Sequence, residues 1–109
     1  QPDFVEFHLS YKDLECDVDQ FVDQDYPINF CVHSPELFAG DHIMDLTSLD
    51  DDYRNQSISE LKRVIETTKS LKKRFPNTSC PKIIVNIGGV TQNGFLEVDQ
   101  RSERYQRFE

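Results

Sequence analysis

The sequence predicts an α/β domain organised on a parallel sheet, and three observations lead there. The runs Ile28-Asn29-Phe30-Cys31-Val32-His33 and Pro81-Lys82-Ile83-Ile84-Val85-Asn86-Ile87 have the length and the β-branched or aromatic content of buried strands. Between them Ile58, Leu61, Val64, Ile65, Thr68, Leu71 and Phe75 recur at helical spacing. A third apolar run, Asp3-Phe4-Val5-Glu6-Phe7-His8-Leu9, precedes both. Strands that alternate with helices imply parallel pairing through right-handed crossovers.

The elements follow in order. After the first strand, Ser10-Tyr11-Lys12-Asp13-Leu14 turns, and Asp17 caps a short helix over Val18 to Val22. Tyr26-Pro27 breaks that helix, because a residue before proline avoids the helical region. The strand over residues 28–33 ends at His33, since Pro35 cannot donate to a ladder. Residues 34–56 read as one long connection, whose Phe38, Ile43, Met44 and Leu46 anchor it to a surface. Ser57-Ile58-Ser59-Glu60 reads as the capping box that opens the helix, and Pro76 stops it. The strand over residues 81–87, apolar on both faces, ends at Gly88-Gly89, where the backbone can turn sharply or approach a ligand. A loop over residues 90–98 then leads to a helix near Asp99. A strand opens at residue 3 with nothing before it, and the chain closes on a helical segment without a stop signal. The expectation is a single partial domain, residues 1–109, of a larger chain.

Composition narrows the function. The net charge of −8 disfavours nucleic acid, and the basic cluster Lys69-Ser70-Leu71-Lys72-Lys73-Arg74 suits the carboxyl end of a helix. No apolar run reaches the ~20 residues that span a bilayer. Cys16, Cys31 and Cys80 lack CxxC spacing and are odd in number, which argues for reduced thiols in a cytoplasmic protein. Cys31 reads as small core filler.

The strand ends carry the chemistry. His8 and Ser10, then His33 and Glu36, then Asn86 with two glycines lie at the carboxyl ends of the three strands. In a parallel sheet these ends share one edge. A histidine beside a carboxylate on a rigid strand end suits a divalent metal such as Zn, Mn or Fe, and suits acid–base work equally. His8 is a pocket-wall or a rim histidine. His33 is the stronger pocket candidate, and Glu36 either supports it or caps the loop. Asp45 is a turn former, and His42 is a surface histidine or a substrate contact. Lys12, with Tyr11 and Asp13, is an anion contact or part of a solvated turn. Gly88-Gly89 lacks the GxGxxG pattern, so a nucleotide site has little support.

The segment from Phe30 to Gly89 resembles the xylose isomerase-like (β/α) barrel superfamily, the sugar phosphate isomerase/epimerase and endonuclease IV group. The matching stretches are Val32-His33-Ser34-Pro35-Glu36, Asp45-Leu46-Thr47-Ser48, Ser57-Ile58-Ser59-Glu60-Leu61 and the following Gly-Gly strand end. Residues 3–14 look like the preceding strand and turn in members found with sialic-acid-type sugar synthesis. The resemblance implies a partial (β/α)8 TIM barrel, with about three of its eight strands present, and a metal-dependent site at the carboxyl face. In the endonuclease branch the histidine matching His33 is a metal ligand, and a second comes from a His-Pro-Gly motif. Here that position reads Ile87-Gly88-Gly89, a departure that counts against a trinuclear zinc nuclease.

The implied activity is that of a sugar phosphate isomerase/epimerase in nonulosonic or surface-polysaccharide biosynthesis. It would abstract a proton beside a sugar carbonyl, with or without a divalent metal (Mn, Zn or Mg). His33 and Glu36 would be the catalytic pair, with His33 the metal ligand if there is one. His8, Lys12, His42 and Asn86 would be substrate contacts. The expected partners are a small sugar or sugar phosphate and the remainder of the barrel, without nucleic acid or membrane; the fragment alone would be inactive. A metal-dependent hydrolase or lyase on the same barrel, and a non-catalytic barrel module attached to a sugar synthase, stay open.

Overall fold

Alternation along two neighbouring segments sets the sheet. In Phe4-Val5-Glu6-Phe7-His8 every second residue is half-buried, and in Asn29-Phe30-Cys31-Val32-His33 the middle three are buried. The computed structural model describes residues 3–88 and 96–109. Among them the chain forms β1 (Phe4–His8), β2 (Asn29–His33), β3 (Leu37–Phe38), β4 (His42–Ile43), α1 (Asp51–Lys72), β5 (Lys82–Ile84) and α2 (Val98–Phe108). The expected α/β class holds. β1, β2 and β5 make one parallel sheet in that order, with β2 central.

Register divides the sheet into two unlike faces. Val5 and Phe7, Phe30 and Val32, and Ile83 share one face and join the core with Ile58, Leu61, Val64 and Leu71 of α1. Phe75, three residues past the helix, packs its ring 4.7 Å from Phe30, 5.6 Å from Phe7 and 5.8 Å from Tyr26. The other face carries Phe4, Glu6 and His8, then Asn29, Cys31 and His33, then Lys82 and Ile84. No described element covers it: Phe4 is 51% exposed and Ile84 47%. Cys31, on the central strand, is the buried exception. Burial, then the Glu6 carboxylate, pushes the Cys31 thiol above its ordinary range. All three cysteines are free.

Four expectations need correction. First, α1 begins six residues before Ser57. Asp50 is its N-cap and accepts from the backbone N–H of Tyr53 at 3.1 Å, and Asp51 and Asp52 suit the positive end of the helix dipole. Its first turns are polar, so the apolar period starts only at Ile58. Second, the connection at 34–56 is not a plain loop. It holds the antiparallel pair β3–β4 and the first turns of α1. The pair is joined by a tight turn in which Gly40 and Asp41 take positive φ of 73° and 57°. Third, the element after Asp17 is a single 3-10 turn, Val18–Gln20. Asp17 caps it as expected, accepting from Asp19 N–H at 3.0 Å. Fourth, β5 spans three residues rather than seven, and it alternates between exposed and half-buried because only α1's side is covered. Gly89 and most of the 90–98 loop lie outside the described residues. Among the described residues, no helix is long and apolar enough to cross a membrane.

Candidate functional site

Parallel register places His8 directly beside His33 at the carboxyl ends of β1 and β2. Their rings stack with centroids 4.9 Å apart and planes 5° from parallel. Both lie on the uncovered face. Glu6, one pleat earlier on that face, brings Oε1 to 3.3 Å from His8 Nε2. Lys82 and Glu6 flank Cys31 in the next row down. Imidazole is the side chain best suited to exchange protons near neutral pH, and a carboxylate on one ring nitrogen fixes its orientation. The cluster can therefore take up and return a proton at the strand ends. Sequence reasoning passed over Glu6, although the period-two alternation already sets it on the face of His8.

A second group forms just beyond the strand ends. Asn86 Nδ2 donates to Glu36 Oε1 at 3.2 Å, and Asn86 Oδ1 accepts from Gly88 N–H at 3.2 Å. Ser34 N–H donates to Ile84 O at 2.9 Å, which carries the ladder one step past β2. The expected residues thus come together as two pairs, His8 with His33 and Glu36 with Asn86. Lys12 lies exposed in the turn where Asp13 accepts from Ser10 N–H and Oγ–H. Its ammonium makes no hydrogen bond or ion pair among the described residues.

His42 is a correction. It is 3% exposed, not a surface residue, and its place is in the interior. Its Nε2 lies 2.8 Å from Ser57 Oγ, and its ring packs 4.3 Å from that of Tyr53. Ser57 Oγ also accepts from Asp45 N–H at 3.0 Å. The serine expected to cap the helix instead ties the β3–β4 hairpin and the Asp45 segment to α1. His42 is a structural prop with no open side for a substrate.

Asp45 does more than form a turn. Its side chain is 9% exposed, and Oδ1 accepts from Thr47 N–H and Oγ–H at 3.1 and 3.0 Å. Oδ2 accepts from Arg104 Nη1, on α2, at 3.1 Å. No local pattern could have joined residues so far apart in the chain. Arg107 of α2 pairs with Asp51 at the start of α1, and Arg54 Nη2 donates to Arg107 O at 2.7 Å. These contacts dock α2 against the α1 amino terminus.

The hydrogen bond from Arg107, then its charge, holds the Asp51 carboxyl below the ordinary carboxylate range. A depressed carboxylate pKa gives a contribution that is full above the unfolded value of 3.8 and lost as pH falls through the lower folded value. Docking of α2 should therefore loosen as pH falls below about 4, the ordinary Asp range. Proteolysis within α2 at graded pH reads this, and an Asp51→Asn variant should show no such step.

Among the described residues, no three His, Cys, Asp or Glu side chains gather in a geometry that could hold a metal ion. Among the described residues, the donors around His33 do not by themselves fit the divalent metal implied by the resemblance. Comparison with family models, curated proteins and solved structures finds no match.

Proposed function

We propose that the chain is a portion of a (β/α)8 barrel acting as a sugar phosphate isomerase/epimerase in carbohydrate biosynthesis. One observation carries this: two registered histidines stack at the carboxyl ends of adjacent parallel strands, on the face no described element covers. Parallel strands are normally covered on both faces, and barrels keep their chemistry at the carboxyl ends of inward-facing positions. Further strands of a barrel would turn the uncovered face into its interior. His8 and His33 would then line the mouth, with Glu36 and Asn86 above them.

In this scheme a ring nitrogen of His33 takes the proton from the carbon beside the sugar carbonyl. The electron pair left on carbon moves into the carbonyl and gives an enediolate. For isomerisation the proton returns to the former carbonyl carbon while the hydroxyl proton of the adjacent carbon moves to the former carbonyl oxygen. For epimerisation the same carbon takes a proton on its other face from an acid on a further strand of the barrel, and His33 keeps the one it removed. Glu6 orients His8, and the stacked pair keeps both rings on the substrate side. The amide and carboxylate of Asn86 and Glu36 supply hydrogen bonds to sugar hydroxyls. Three free thiols are in keeping with a cytoplasmic setting.

The test is proton exchange. The intact polypeptide is incubated in D2O with a panel of aldose and ketose phosphates, and deuterium beside the carbonyl is followed by NMR. Exchange should appear with at least one sugar. His33→Ala should slow it by about 10²-fold or more, the scale of a lost general base. An inert panel, or exchange untouched by His33→Ala, would sink the proposal.

A further inference from the structure

We propose that Arg104 anchors the anionic group of the ligand, taking a phosphate or carboxylate on the Nε/Nη2 edge of its guanidinium. This rests on the proton-transfer site proposed above and adds the residue that would select charged sugars. The observation behind it is an unspent, buried donor. Arg104 Nε is sealed from solvent and has no hydrogen-bond partner. The side chain as a whole is 16% exposed. Nη1 is committed to Asp45 Oδ2 at 3.1 Å and Thr47 Oγ at 3.4 Å. Neither Nε nor Nη2 has a partner among the described residues. A guanidinium that served only to hold α2 would turn its two-nitrogen edge onto Asp45. Here that edge is left over. It is the edge that grips an oxyanion with two parallel N–H···O bonds.

Position supports the same role. Asp45, which orients Arg104, lies hard against Gly88: a Cβ built on Gly88 would come within 2.4 Å of Asp45 Oδ1. Leu46 N–H donates to Ile87 O at 2.9 Å. The guanidinium is thereby fixed beside the segment that leaves β5. A continuous run of contacts leads from it through Asp45, Gly88 and Asn86 to Glu36. Arg104 therefore shares the carboxyl edge of the sheet with the candidate site. Because Nε is sealed in this conformation, binding on this edge requires α2 to shift against the Asp45 segment.

Calorimetric titration of the intact polypeptide with inorganic phosphate and with acetate, at constant ionic strength, decides the matter. At least one should bind saturably. Arg104→Lys, which keeps the charge and the pair with Asp45 but loses the two-nitrogen edge, should weaken it tenfold or more at an unchanged melting temperature. Preference for phosphate points to a phosphorylated sugar, and preference for acetate to a sugar acid. Absence of saturable binding, or equal binding by Arg104→Lys, overturns the proposal. If that variant unfolds, the wild-type Arg104 Nε–H resonance decides instead, since it must move on saturation with the anion that binds. Anion binding needs no turnover. Exchange without Arg104-dependent binding keeps the reaction and removes the anchor, and the reverse outcome keeps the anchor and removes the reaction.

Discussion

Phe75→Ala should lower the unfolding free energy by about 3–5 kcal/mol, as other buried Phe→Ala changes do. The ring is 2% exposed and touches residues from β1, β2 and the segment before β2. It is held in place by the turns on either side of it, Phe75 N–H to Lys72 O and Thr78 N–H to Phe75 O, both at 3.1 Å. The chain that must move to fill the cavity is therefore pinned by its own backbone. Each edge-to-face pair adds about 0.5–1.5 kcal/mol beyond burial, and Phe75 makes such a pair with Phe7. A domain of this size holds roughly 5–15 kcal/mol in all, so the loss should bring urea midpoints down by about a fifth or more. Ile65→Ala is the control, on the exposed side of α1, and should change stability by about 0.5 kcal/mol or less. A Phe75→Ala loss below about 1 kcal/mol would mean that the aromatic cluster does not hold helix to sheet.

Gly88→Ala should cost about 3 kcal/mol, from two separable sources. Its φ of +109° is poorly suited to any residue with a Cβ. In addition, the new methyl would sit 2.6 Å from the Asp45 Cα, which is backbone and cannot swing aside. The Asp45 segment would have to part from the strand, breaking Leu46 N–H to Ile87 O and tilting the carboxylate that holds Arg104. Gly40→Ala separates the two effects. Gly40 also has positive φ, +73°, but open space around its Cβ position, so strain alone should cost about 1 kcal/mol. Thermal melts of both variants, with amide resonances of Leu46 and Thr47 as the local reporter, test this. Equal losses at the two glycines would rule out the close approach.

The sequence carried the sheet and the helix because their signals are local. β2 reads as buried from its own composition, and the Val64–Thr68–Leu71 stripe of α1 is periodic within itself. The start of α1 was illegible for the same reason. Asp51 to Gln56 are polar, and a serine followed by a glutamate three residues on looks like a cap wherever it stands. Only the fold shows that Ser57 faces inward to His42. The site divides along the same line. His8 and His33 could be placed at strand ends from sequence, and Glu6 could have been by alternation. The Asp45–Arg104 pair could not, because it depends on how α2 folds back over the Asp45 segment.

Tyr53 has a consequence for how the molecule keeps to itself. Its hydroxyl accepts from Ile43 N–H and donates to Ile43 O, both at 3.0 Å. Those are the two groups that a neighbouring strand would have used. A single phenol on α1 thus stands in for a missing strand along the outer side of β4. An edge whose amide and carbonyl are both occupied offers no template to another chain. With Leu37 and Ile43 both more than 40% exposed there, an open edge would be a sticky one. Tyr53 closes it against intermolecular pairing while fixing the hairpin to the helix.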